Sequence, residues 1–165
     1  MTARAPGGAL TVRAAARADL PGVSALAAAH AAYERAAPPP ADLADRLAPL
    51  LFDGPAPRLH VLVVAAQDGT LVGYASCAPE LSTWQGRSYL HLDCLFLDER
   101  YRGQGLGGRL VTAVAELAGA LGLGELQWNT PDWNTDAIRF YRRLGATERA
   151  KLRFSLPAPA PIRAG

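Results

Sequence analysis

Leu90 to Leu117 reads LHLDCLFLDERYRGQGLGGRLVTAVAEL. The apolar run Leu90 to Leu97 leads into the charged turn Asp98-Glu99-Arg100-Tyr101-Arg102. Glycines follow at 103, 105, 107 and 108, and then a stretch with Leu106, Leu110, Val114 and Leu117 at helical spacing. A strand, a turn and a glycine-rich loop opening a helix together make an anion site. Glycine lets the backbone come close to oxygens. The first turn of a helix leaves N–H groups without intrahelical partners and aims them outward, with the dipole behind them. Arg102 adds a fixed positive charge at the lip of the loop. The segment from Arg102 through Gly103, Gln104, Gly105, Leu106 and Gly107 to Gly108 is therefore predicted to hold the phosphates of a cofactor.

Gly103, Gly105 and Gly108 also satisfy G-x-G-x-x-G, the dinucleotide fingerprint. Three features oppose a nicotinamide-dependent oxidoreductase. The entering turn is long and charged, the loop lies late in the chain, and the acidic position about 20 residues on falls near Glu125, which opens a strand instead of closing one. No Gly-Lys-Ser/Thr follows, so it is not a Walker loop either.

The 165 residues suit one domain, with a core over about residues 10–156 and loose Pro/Ala/Gly-rich termini at 1–9 and 157–165. A formal net charge of +2 with scattered arginines gives no footprint for nucleic acid. The N-terminus has no apolar core of a signal peptide, and no run approaches the ~20 apolar residues of a membrane span. A cytoplasmic location is expected, with Cys77 and Cys94 as buried free thiols and no metal site.

Local signals give the element order. Leu10 to Arg13 suits a short strand. Asp19 and Pro21 open a helix to about Glu34, stopped by Pro38-Pro39-Pro40. A second helix, about Ala41 to Phe52, is expected to be interrupted at Pro49. Leu59 to Ala66 and Leu71 to Ala78 flank the hairpin signal Asp68-Gly69. Ser88 to Leu97 is the strand before the loop. Then come a helix at Gly105 to Ala120, a strand at Leu123 to Trp128, a helix at Asn134 to Leu144 closed by Gly145, and a last strand at Thr147 to Leu156. This order predicts an α/β fold, a mixed central sheet with helices on both faces.

Arg102, Gly105 and Gly107 also spell R-x-x-G-x-G. In that form, behind an apolar strand, the segment resembles the acetyl-CoA pyrophosphate loop of the GNAT N-acetyltransferase superfamily. Pro131 to Ala146, PDWNTDAIRFYRRLGA, resembles that family's second hallmark, an Asn…Phe-Tyr…Leu-Gly-Ala helix. It is most similar to the diamine and polyamine (spermidine/spermine) acetyltransferase branch and its bacterial relatives. The resemblance spans roughly Thr11 to Leu156.

The resemblance implies the GNAT fold, acetyl-CoA as cofactor, a small-molecule primary amine as acceptor and a homodimer. It assigns the pantetheine arm and thioester oxygen to backbone groups of Leu95, Phe96 and Leu97, freed by a bulge or splay of their strand. Asn134 and the backbone around Asp136 are further cofactor contacts. Tyr141 becomes the general acid that protonates the leaving thiolate, which suits a phenol with a pKa of about 10. Asp93, a carboxylate in mid-strand among apolar neighbours, is the base, the amine's anchor or a structurally paired acid. Tyr33, Glu34 and Trp84 match positions that line the amine pocket. Thr83 stands where those relatives often carry an acid, so a monoamine, an amino acid or a drug-like amine fits as well as a polyamine. A protein N-terminus or lysine as acceptor, and a non-catalytic acyl-CoA-binding module, are the alternatives.

Overall fold

A computed structural model describes residues 9–158. The expectation of loose ends at 1–9 and 157–165 falls largely outside those residues. The chain divides into two compact units, Met1–Asn129 and Thr130–Gly165, taken in turn.

The first unit holds one five-stranded sheet in the order β1 (Thr11–Ala14), β2 (His60–Ala65), β3 (Leu71–Ser82), β4 (Arg87–Leu97), β5 (Leu126–Trp128). All neighbours are antiparallel except β4 and β5, so the sheet is mixed as expected. The helices are α1 (Leu20–Tyr33), α2 (Leu43–Phe52) and α3 (Leu106–Ala120). Val63 and Val64 are both fully buried, yet Val63 packs with α1 and α2 while Val64 packs with α3. Neighbouring strand residues point to opposite faces, so helices cover both sides of the sheet. Leu20, Val23 and Leu26 supply the buried stripe of α1; Leu106, Leu110, Val114 and Ala118 supply that of α3.

Several local expectations need correction. Asp19 precedes α1 but does not cap it with its side chain. Its carboxylate turns back to accept from Ala16 N (2.7 Å) and to pair with Arg13 (2.6 Å), closing the 3-10 turn Arg17–Asp19. Pro49 does not interrupt α2. It lies within the helix, whose Leu47, Ala48, Leu50 and Leu51 pack into the core and outweigh the one missing N–H. β5 begins only at Leu126, because Gly122, at φ +71°, and Gly124 delay it.

The second unit contains α4 (Thr135–Arg143). Asn134 caps it, its side chain accepting from Ala137 N at 3.2 Å, and Gly145 leaves it at φ +85°, as the sequence suggested. The strand expected over Thr147 to Leu156 is not formed. Leu152, Phe154 and Leu156 alternate as a strand's apolar face does, but they stand 84, 87 and 92% exposed. Alternation stabilises a strand only when a neighbouring strand pairs with it and buries one face, and among the described residues none pairs with this segment.

Candidate active site

The centre of the site is a break in the β3–β4 ladder. Ser76 faces Cys94 and Cys77 faces Leu92, so Asp93 has no residue opposite it. One extra residue on one strand is a β-bulge, which bends the strand and re-aims the side chains around it. The core records the change of phase. Leu90 and Leu92 pack on the α3 side, whereas Cys94 and Phe96, which strict alternation would keep with them, pack on the α1–α2 side. Asp93 emerges exposed from the middle of an otherwise packed strand. No large desolvation of its carboxylate is therefore required.

Just beyond the bulge β4 loses its other neighbour. The parallel register with β5 runs from Leu90↔Leu126 to Leu92↔Trp128 and stops there. The segment containing Leu95, Phe96 and Leu97 thus lies past the end of that ladder. The Leu97 carbonyl is already engaged, accepting from Arg102 Nε at 3.0 Å.

A 3-10 turn, Glu99–Tyr101, carries the chain from β4 to the glycine loop. Asp98 caps it and pairs with Arg100 at 2.7 Å; the Arg100 hydrogen bond and charge hold the Asp98 carboxyl below the usual range. Gly103 and Gly105 adopt φ +74° and +76°, which side-chain-bearing residues rarely adopt. A Cβ added at Gly103, Gly105 or Gly108 would meet no atom within 4 Å. The loop is therefore an open cradle in front of α3. Gly105 is the N-cap of that helix, and its carbonyl accepts from Arg109 N at 3.1 Å. The N–H groups of Leu106, Gly107 and Gly108 occupy the first turn, where a helix has none of its own carbonyls to offer. An open loop at the positive end of a helix leaves room for an anion such as a pyrophosphate.

Arg102 does not extend into that cradle as the sequence suggested. Its guanidinium lies over the Tyr33 ring (4.7 Å) and near Phe96 (5.5 Å). Together with Leu26, Ala29, Asp98 and Glu99 these residues line a groove of about 450 Å³ between α1 and the end of β4. Tyr33, Phe96 and Arg102 are thereby brought together. Trp84 is not among them. It is fully exposed at the tip of the β3–β4 hairpin, beyond Arg87, which stands six positions before Asp93 on the strand, about 20 Å of extended chain.

A second cluster was not foreseen. The His30 ring is stacked on Phe96, with centroids 5.2 Å apart and planes at 23°. Its Nδ1 lies 3.2 Å from the Tyr74 hydroxyl and its Nε2 lies 3.3 Å from Glu34 Oε1. On the same face the Cys94 thiol donates to Oδ2 of the neighbouring Asp93 at 3.7 Å. Burial, reinforced by Cys94 and by the charges of Asp93 and Glu34, pushes the Tyr74 hydroxyl far above its ordinary value. Burial likewise raises the Cys94 thiol. The pair His30 and Glu34, four apart on a helix, was visible in the sequence; Tyr74 was not, since only the strand register brings it beneath them.

In the second unit the Asn134 side chain is committed to capping α4 and is buried. Asp136 is exposed and paired with Arg139. Tyr141 is half-buried beside Phe140, with ring centroids 5.2 Å apart.

The acetyltransferase (GNAT) family matches residues 24–146, most of the chain and parts of both units. The chain belongs to the GNAT acetyltransferase family. Its relatives include the L-ornithine N5-acetyltransferase of Arabidopsis thaliana, 35% identical over 79 residues that make up 48% of this chain and 35% of the relative. Another is the thialysine N-epsilon-acetyltransferase of Bos taurus, 34% identical over 102 residues, 58% of this chain and 59% of the relative. The matches thus take in between about a third and three fifths of these relatives' own length. A solved aminoglycoside acetyltransferase from an uncultured soil metagenomic sample shares the fold, with a TM-score of 0.76 at 19% identity over 91% of this chain and 97% of that one. No helix among the described residues of this GNAT chain is long and apolar enough to cross a membrane.

Proposed function

We propose that this chain is an N-acetyltransferase that transfers acetyl from acetyl-CoA to the primary amine of a small molecule. The observation that carries this reading is the bulge at Asp93, directly upstream of the open glycine cradle at the head of α3. A fold needing only a packed strand would have no use for a displaced, exposed carboxylate four residues from the strand's end. The family match across residues 24–146 supports the activity and also supports treating the two units as one domain. Relatives named for ornithine and thialysine point to small amines that carry further charged groups.

Acetyl-CoA, when bound, supplies an acyl group activated as a thioester. Its pyrophosphate is assigned to the N–H groups of Leu106, Gly107 and Gly108 in the cradle formed with Gly103, Gln104 and Gly105. Backbone groups of Leu95 and Phe96, past the end of β5, are assigned to its pantetheine arm and thioester oxygen. Asp93 takes the proton of the ammonium, directly or through water, so that the amine can attack. Tyr141, on the strength of its motif, gives its phenolic proton to the leaving thiolate. Asn134, committed to its helix cap, is assigned to the cofactor only through the backbone near Asp136. Tyr33 and Glu34 line the acceptor side. Trp84 is assigned to that side by family resemblance alone. The same family reading gives a cytoplasmic homodimer acting on small amines rather than on nucleic acid or membranes.

The test is thiol release from acetyl-CoA against spermidine, diaminobutane, ornithine, lysine analogues, an aminoglycoside and short peptides. Turnover on one of the small amines is expected. Turnover on peptides alone would replace the acceptor class, and tight acetyl-CoA binding with no turnover on any amine would favour a non-catalytic acyl-CoA module.

A further inference from the structure

His30 is the one histidine on α1, and both of its ring nitrogens are occupied. A neutral imidazole has one donor and one acceptor. The Tyr74 hydroxyl keeps its proton and donates it to Nδ1. Nε2 then faces the Glu34 carboxylate, 3.3 Å from Oε1. Stacking on Phe96 fixes the plane of the ring. An imidazole held by a hydrogen bond at Nδ1, a 3.3 Å contact with Glu34 at Nε2 and a stacking face is a strut. Its side chain is 15% exposed, against 34% for Glu34, so the strut lies beneath and the carboxylate faces out. The ring contact recorded for Glu34 is at Oε1.

A second carboxylate, Asp93, emerges from the bulge next to Cys94, and its charge acts on the same buried hydroxyl as that of Glu34. A single ammonium needs one carboxylate. Two carboxylates carried by different elements suit an acceptor with two positive centres. We propose that His30 is a positioning residue that holds Glu34 as the anchor for the second, non-reacting ammonium of a diamine or diamino acid. This rests on the amine acetyltransferase reading above and assigns the part of the acceptor that Glu34 recognises.

The experiment compares 1,4-diaminobutane with n-butylamine in steady-state kinetics, with diaminobutane binding followed by calorimetry. His30→Phe keeps a ring against Phe96 and removes the polar contacts to Tyr74 and Glu34; His30→Gln restores a donor toward Glu34. His30→Phe is expected to raise KM for diaminobutane about tenfold, with the rise for butylamine at least about fivefold smaller. His30→Gln is expected to recover most of that loss. The double variant His30→Phe/Glu34→Gln should be no worse than Glu34→Gln alone, because the two residues act as a unit. Equal losses on both amines, or a loss in kcat alone, would overturn the proposal and leave His30 as packing. If His30→Phe does not fold, Glu34→Gln decides: an unchanged KM for diaminobutane overturns the assignment. Absence of turnover in the wild-type protein would defeat the functional reading, and calorimetry would still decide this one. Diaminobutane binding weakened in His30→Phe and restored in His30→Gln supports it; no binding, or equal binding, overturns it.

Discussion

The guanidinium of Arg102 lies 4.7 Å from the centre of the Tyr33 ring. Its Nε is spent on the Leu97 carbonyl, so the cation at the lip of the glycine loop is tied to α1 and to the last residue of β4 at once. The loop, the first helix and the end of the bulged strand are thereby joined through one side chain, and only the terminal guanidinium nitrogens are left to face a ligand. Arg102→Lys keeps the charge but neither the planar fork nor the stack. It is expected to lose about 0.5–1 kcal/mol of stability, the usual range for an exposed cation–π contact, and to raise KM for acetyl-CoA. Thermal melts of the two proteins that coincide would show that the stack contributes nothing.

Gly105 is required by its backbone and not by crowding, since φ is +76° and a Cβ there would meet open space. Gly105→Ala is therefore expected to cost about 1 kcal/mol, the ordinary penalty for a side chain in that conformation. Gly105→Asp adds a negative charge to the cradle itself and is expected to abolish acetyl-CoA binding in calorimetry. Unchanged affinity in the aspartate variant would remove the loop from the cofactor site.

Tyr141→Phe deletes one hydroxyl from α4. If the phenol is the general acid, kcat should fall by about 10–10⁴-fold, the span of lost acid catalysis and of partial replacement by water. Steady-state rates at wild-type level would reject the role, whatever the acceptor.

Gly73 pairs with Leu97 across the β3–β4 ladder. A Cβ at Gly73 would stand 2.4 Å from Leu97 Cδ2 and 2.9 Å from the Phe96 carbonyl oxygen. The side chain can turn away, but the backbone oxygen moves only with the strand. Gly73→Ala is expected to destabilise by about 1–3 kcal/mol, as overpacking does. It should also weaken acetyl-CoA binding, because Leu95 to Leu97 shift with the strand. Urea denaturation with an unchanged midpoint would contradict the crowding.

Burial holds the His60 imidazole below its ordinary value. As the pH falls through about 6.5, the unfolded chain takes up this proton before the folded protein does. The contribution of His60 is therefore fully present above that pH and is lost as the pH drops from there toward the folded value. His60→Gln should flatten the dependence of unfolding free energy on pH in that window. An equal slope in both proteins would show that the group is not desolvated.

Much of the architecture was legible in residues close together in the chain. Pro21, the Asp68-Gly69 turn and Gly145 mark boundaries by their own backbone preferences, and the apolar spacing of Leu106, Leu110, Val114 and Leu117 needs only one helix to express it. The glycine loop could be read directly, because its shape is a property of a short segment and the helix it opens. Tyr33 with Phe96, by contrast, became a groove only when α1 crossed the end of β4.

The sequence by itself determined the mixed α/β class, the three helices around the sheet and the glycine loop that opens α3, because each follows from periodicity or from the conformations glycine and proline allow. Only the tertiary structure decided that Asp93 is the bulged residue, that Arg102 turns onto Tyr33, that His30 stands between Tyr74 and Glu34, and that Thr147 to Leu156 forms no strand. Each of these depends on which strand residue faces which partner. That register is set by burial summed over whole strands and helices, and a shift of one residue would reverse it without changing any local signal.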